Sequence, residues 1–139
     1  MAKVRMETEL AVPANILWQS IGSFSSLGDW HPAIEKCESD GDRKGSIRKL
    51  SLVGGGTIVE RLEDVSDTEK IYRYSITDSP LPVSNYISEI KVTDNGDGTS
   101  TMEWSGQFDP MNASENDAVK VVQGIYQAGF DNLQKMFTK

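Results

Sequence analysis

Leu27 to Pro32 reads "LGDWHP" and sets the chain's one histidine, His31, between Trp30 and Pro32. The one cysteine, Cys37, follows in the next run. An imidazole near a thiol is the material of a base and a nucleophile. Such a pair needs a third group to orient the base, and no spacing here marks one. A lone cysteine in an extended run is more often a small buried hydrophobe. One histidine and one cysteine do not make a zinc set. "DNGDG", Asp94 to Gly98, places glycines where a calcium loop needs ligands. "VGGGT", Val53 to Thr57, lacks the Gly-Lys-Ser/Thr ending of a phosphate loop. These residues therefore predict no metal and no cofactor.

Composition narrows the classes further. The 139 residues predict a single domain, 1–139, able to bury about two-thirds of its unfolded surface. Net charge is −7, and basic residues come only in scattered pairs such as Arg43-Lys44 and Arg48-Lys49. Nucleic acid binding needs a basic footprint, so that class is set aside, and an anionic membrane surface is disfavoured on the same ground. No apolar run is long enough for stable membrane insertion, and "MAKVRMETEL" has no signal-peptide core. The expected location is cytoplasmic. Oligomeric state is left open.

These residues must be held by a short list of elements. "VRMETELAV" alternates as a strand, about Lys3 to Val12. Pro13 then opens a helix, where a missing N–H costs nothing. Ile16, Leu17, Ile21 and Phe24 fall at helical spacing, and a broken second helix is expected around Ser25 to Asp29. Six strand-like runs follow from Ala33, separated by turn chemistry at Asp40-Gly41, Gly54 to Gly56, Ser66-Asp67, "DSPLP" and "NGDG". "SEND", Ser114 to Asp117, has capping-box form and starts a long helix. Ala118, Val121, Val122, Ile125, Gly129, Phe130, Leu133 and Met136 make its apolar stripe. Such an order predicts an α+β layer fold, an antiparallel sheet with helices on one face. A curved sheet around one long helix tends to leave a cavity, and Gly129 and Gly106 are the small residues expected to open it.

Six segments in this order carry a resemblance: "ILWQSIGSFSSLGDWHPAI", "GSIRKL", "VERLEDVSD", "YRYSI", "PVSNYISEIKV" and "IYQAGFDNLQKMF". Together they resemble the Bet v1/START-like (SRPBCC) superfamily, and within it the polyketide cyclase/dehydrase-like ligand-binding proteins. The resemblance implies a helix-grip fold: a seven-stranded curved antiparallel sheet around a long C-terminal helix, with two short helices after the first strand. It does not imply one function, because the superfamily hosts carriers, receptors, cyclases and synthases. "AIEKCESDGDRKGSIRKL" and "NYISEIKV" are similar, more distantly, to plant abscisic acid receptors. "VGGGT" and "DSPLPVSN" stand where those receptors carry gate and latch, without the family's gate and latch sequences. Glu35 stands where they use a lysine for the hormone's carboxylate. That departure speaks against the same ligand.

Strand parity combined with the resemblance implies a cavity lining. It falls on Glu35 and Cys37; on Ile58, Glu60 and Leu62; on Tyr72, Tyr74 and Ile76; and on Tyr86, Ser88 and Ile90. Val121, Ile125 and Gly129 join from the helix. Glu103 is expected from the last strand, although Trp104 and Phe108 make the opposite parity as apolar. Glu60 and Glu103 then become candidate paired acids, with Tyr86 polarising a carbonyl; structural roles for all three stay open. Arg48 either pairs with an acid such as Glu60 or stands exposed. Trp30 becomes an apolar wall at the cavity rim. Pro32 forces His31 toward an extended conformation, leaving His31 as a further candidate ligand contact.

Three functions follow as expectations. The first is a carrier or sensor for a small hydrophobic or aromatic, polyketide- or lipid-like molecule. The second is a cyclase, dehydratase or lyase on such a compound. The third is a protein-interaction module whose cavity is filled by side chains.

Overall fold

The computed structural model describes residues 1–137. Its strands are β1 (Ala2–Leu10), β2 (Ile34–Ser39), β3 (Ile47–Leu52), β4 (Thr57–Ser66), β5 (Ile71–Asp78), β6 (Val83–Asp94) and β7 (Ser100–Pro110). They form one sheet in the order β1-β7-β6-β5-β4-β3-β2, with every neighbour antiparallel. Between β1 and β2 lie α1 (Ala14–Ile21), a 3-10 turn (Phe24–Ser26) and α2 (Leu27–Trp30). The long helix is α3 (Glu115–Met136). This is the expected α+β helix-grip arrangement.

Local chemistry explains the ends of these elements. Ser114 accepts a hydrogen bond from the Asp117 N–H at 3.1 Å, so the serine in "SEND" caps α3. Pro13 sits at the start of α1 without a side-chain cap. The cap comes instead from across the fold, where Asp94 Oδ1 accepts the Ala14 N–H at 3.1 Å. Asp94 ends β6, and Gly96 and Gly98 take φ of 85° and 86° in the hairpin that follows. Positive φ is what glycine tolerates at a turn.

The sheet curves because its pairing slips. Register shifts fall between Ile34 and Lys36 in β2, at two places in β4, and between Ser84 and Ile87 in β6. An extra residue on one strand bends it and increases local twist. The concave face then wraps α3, which buries Ala118, Val122, Tyr126, Gly129, Phe130 and Leu133. Trp104 stacks on Tyr126 at 4.4 Å between ring centroids, with the planes 15° apart.

Candidate functional site

Between the concave face and α3 lies a cavity of about 190 Å3. Leu50 and Leu52 of β3, Ile58 of β4, Ile76 of β5 and Trp104 of β7 supply most of its apolar wall. Val122 and Ile125 close it from α3, and Leu27 and His31 from the corner around α2. Glu60, Tyr74 and Tyr86 add polar groups. Val53, 64% exposed, and the half-buried Leu81 line it from the β3–β4 and β5–β6 loops. These loops hold the triple glycine and "DSPLP", and they lie close together: a Cβ on Gly56 would stand 3.7 Å from Pro80. The interior is therefore not filled by side chains.

Glu60 reaches the cavity from the inward face of β4, opposite Arg48 on β3. Arg48 is 0% and Glu60 4% exposed. Arg48 Nε donates to Glu60 Oε1 at 2.7 Å, and a second guanidinium nitrogen, Nη1, donates to the Phe24 carbonyl at 2.7 Å. The Arg48 guanidinium also lies 4.1 Å from the Phe24 ring centre and 4.9 Å from that of Tyr74. Burial works against the Arg48 charge, but Glu60 and then the phenols outweigh it, holding the guanidinium above its ordinary value. Burial pushes the Glu60 carboxyl up, and Arg48 pulls back only part of the way. Oε1 carries the whole pairing with Arg48, and no hydrogen bond among the described residues uses Oε2.

His31 is a staple. Its Nδ1 accepts the Ala33 N–H at 3.2 Å, so the proton sits on Nε2, which donates to the Ile125 carbonyl at 2.7 Å. Both nitrogens are committed, one to the start of β2 and one to α3. Burial lowers the His31 pKa, against the pull of the Ile125 carbonyl. A histidine depressed in the folded state contributes stability that is full above its unfolded value, about 6.5. That stability is lost as pH falls through the folded value. His31→Gln should therefore flatten the loss of stability between about pH 6.5 and pH 5. Urea midpoints measured across that range check it; parallel curves for the two proteins would reject this role.

The structure sorts the sequence-predicted residues into three groups. His31, Ile58, Glu60, Tyr74, Tyr86 and Ile125 share the cavity wall. Trp30, Leu62, Tyr72, Ser88 and Gly129 are buried in the layer behind it. Gly129 does not open space, since a Cβ there would meet His31, Trp104 and Trp30, each at 3.0 Å. Gly106 likewise makes room for the Tyr126 hydroxyl rather than for a ligand.

Four further expectations need correction. Glu103 lies on the outer face of β7 and pairs with Arg5 at 2.6 Å, because Met102, Trp104 and Phe108 take the inward parity. Among the described residues, Glu60 and Glu103 therefore do not form a pair of cavity acids. Glu35 is exposed, as the extra residue of the β2 bulge between Ile34 and Lys36. It cannot repel an anion inside the cavity. Cys37 is half-buried, with its β-carbon 3.4 Å from where a Gly28 Cβ would stand, and does not line the cavity. Burial raises its thiol pKa. Val121 is 37% exposed, and its neighbour Val122 takes the inward position.

Sequence reasoning missed Tyr126, although it stands four residues from both Val122 and Phe130 and so falls on the buried stripe. Its hydroxyl meets that of Tyr86 at 2.5 Å and Ser88 Oγ at 3.1 Å. Trp104 Nε1 donates to both Tyr74 and Ser88 at 3.1 Å. Burial raises the phenols of Tyr74 and Tyr86 well above their ordinary value and pushes Tyr126 up to about 12. All three are neutral phenols near pH 7.

A curved seven-stranded antiparallel sheet gripping one long helix over an apolar cavity defines a Bet v1/START-like, helix-grip protein. Within that class, the chain belongs to the polyketide cyclase / dehydrase and lipid transport family, whose model matches residues 1–138. It is similar to XoxI of Bacillus cereus, at 40% identity over 99% of this chain and 96% of that one, with a TM-score of 0.92. MLP-like protein 423 of Arabidopsis thaliana is 27% identical over 98% of this chain and 94% of its own. Abscisic acid receptor PYL7 of Arabidopsis thaliana is 25% identical over 89% of this chain; the match spans 63% of the receptor. Among the described residues, no helix is long and apolar enough to cross a membrane.

Proposed function

We infer that this protein binds one small, largely apolar molecule in the cavity between sheet and α3, as a carrier or sensor. The observation that carries this is the cavity itself: about 190 Å3, walled by aliphatic and aromatic side chains, with only a few polar groups. That pattern is typical of small-molecule sites, though at the small end of their range. An apolar cavity of about 150 Å3 accepts benzene, so the ligand is of single-ring size. Similarity to a receptor named for a small hormone supports the same reading.

The test is direct. Native mass spectrometry and titration with single-ring compounds should show one molecule bound per chain. Val122→Phe fills the wall from α3 and should abolish uptake without lowering the melting temperature. Undiminished uptake by Val122→Phe would place the ligand elsewhere.

Catalysis is the second reading, and it rests on Glu60, the one carboxylate on the wall among the described residues, whose buried position makes it a stronger base than a surface glutamate. A one-base cyclase or dehydratase would lose turnover in Glu60→Gln, while the apolar wall would still take up a plain hydrocarbon ring.

A further inference from the structure

We propose that Tyr74, not Tyr86, is the hydrogen-bond donor of the cavity, and that with Glu60 Oε2 it selects a neutral ring carrying both a carbonyl-type acceptor and a donor. The proposal rests on the cavity-binding reading above and adds the polar chemistry of its ligand.

The direction of each hydrogen bond decides the matter. Ser88 Oγ lies 2.7 Å from the Ser105 carbonyl, which can only accept, so the Ser88 proton goes there. The contact between Tyr126 and Ser88 must then be donated by Tyr126. With that proton spent, the contact between Tyr86 and Tyr126 must be donated by Tyr86. The Tyr86 oxygen is left with lone pairs only. Tyr74 differs, because its oxygen accepts from Trp104 Nε1 and no hydrogen bond among the described residues takes its own proton. Tyr74 is 3% exposed and lines the cavity. A buried donor without an acceptor is costly, so a ligand that supplies one gains affinity.

The acceptor side is equally constrained. Arg48 occupies Glu60 Oε1, no hydrogen bond among the described residues uses Oε2, and Glu60 lines the cavity. A carboxylate ligand would bring a second anion beside Glu60, with one phenol to satisfy it. An amide, or a carbonyl compound with a separate hydroxyl, matches both groups.

Four single-ring probes separate these properties: toluene, acetophenone, benzamide and benzoate. Calorimetric titration of the full chain should rank benzamide above acetophenone and acetophenone above toluene. The step from toluene to acetophenone is roughly three- to ten-fold, as expected for one added neutral hydrogen bond, and the step to benzamide, a hydrogen bond to a carboxylate, is roughly ten-fold or more. Benzoate should bind at least about ten-fold more weakly than benzamide, since it sets a like charge beside Glu60. Tyr74→Phe should erase the advantage of acetophenone over toluene, and Tyr86→Phe should keep it. The infrared carbonyl stretch of bound acetophenone should be lowered in the wild type and in Tyr86→Phe. It should return to its apolar-solvent position in Tyr74→Phe. If toluene binds and acetophenone is no better, or if Tyr86→Phe is the variant that loses the shift, the donor assignment is wrong. If none of the four binds, the cavity-binding reading fails with it.

Discussion

Replacing Glu60 by leucine should lower the unfolding free energy by about 3–5 kcal/mol at neutral pH, because it strands a buried guanidinium. Arg48 is wholly buried and keeps one carbonyl partner, Phe24, once the carboxylate is gone. It cannot escape by losing its proton. Arg48→Met should cost less at neutral pH, because the stranded Glu60 can take up a proton and become neutral. The two variants should also differ in pH dependence. Without Arg48, the folded-state pKa of Glu60 rises further above the unfolded value, about 4.3. The native state then holds more protons than the unfolded state between those values, so stability increases as pH falls through the folded value. Arg48→Met should accordingly regain stability relative to wild type on going from pH 7 to pH 5. The double variant Arg48→Met/Glu60→Leu should recover much of the loss of Glu60→Leu, since apolar groups often replace a buried ion pair at little cost. Urea denaturation of all four proteins decides it. A loss for Glu60→Leu below about 1 kcal/mol, the range of exposed pairs, would show that Arg48 finds solvent.

Gly106→Ala should cost about 1–3 kcal/mol, the usual range for overpacking. The added methyl would occupy the place of the Tyr126 hydroxyl, and Tyr126 is held by its stack on Trp104. Tyr126→Phe removes the obstructing oxygen, so the double variant Gly106→Ala/Tyr126→Phe should be more stable than the two single losses predict. Tyr126→Phe alone loses its contacts to Ser88 and Tyr86. Thermal and urea unfolding of the four-member cycle supplies the coupling. Losses that add to within about 0.5 kcal/mol would mean that Gly106 and Tyr126 do not share this space.

Most of the fold was legible because its signals are local. Turn glycines, alternating strands and the Ser114 cap act within a few residues, and each stood near its expected position. The pairing of Arg48 with Glu60 was one of two readings the sequence left open, and the register of β3 against β4 decided it. Errors gathered where one extra residue shifts parity. Glu35 was assigned inward by counting in twos, and the β2 bulge turned it out. Glu103 failed for another reason: either face of β7 was consistent with alternation, and pairing with β1 set Glu103 beside Arg5. Gly129 and Gly106 were read as openings, but what a glycine admits depends on which ring arrives from another element.

By itself, then, the sequence determined the element order, the sheet-and-helix class and the cap of α3. Propensity, periodicity and turn chemistry are properties of neighbouring residues, and one chain suffices to express them. Only the tertiary structure decided which carboxylate faces the cavity, that His31 is spent joining β2 to α3, and that the hydroxyls of Tyr86 and Tyr126 are tied to each other. These are outcomes of register, curvature and hydrogen-bond direction. Each depends on atoms separated by tens of residues, such as Ser88 and Tyr126 or His31 and Ile125, which nothing short of the folded chain brings within 3.1 Å.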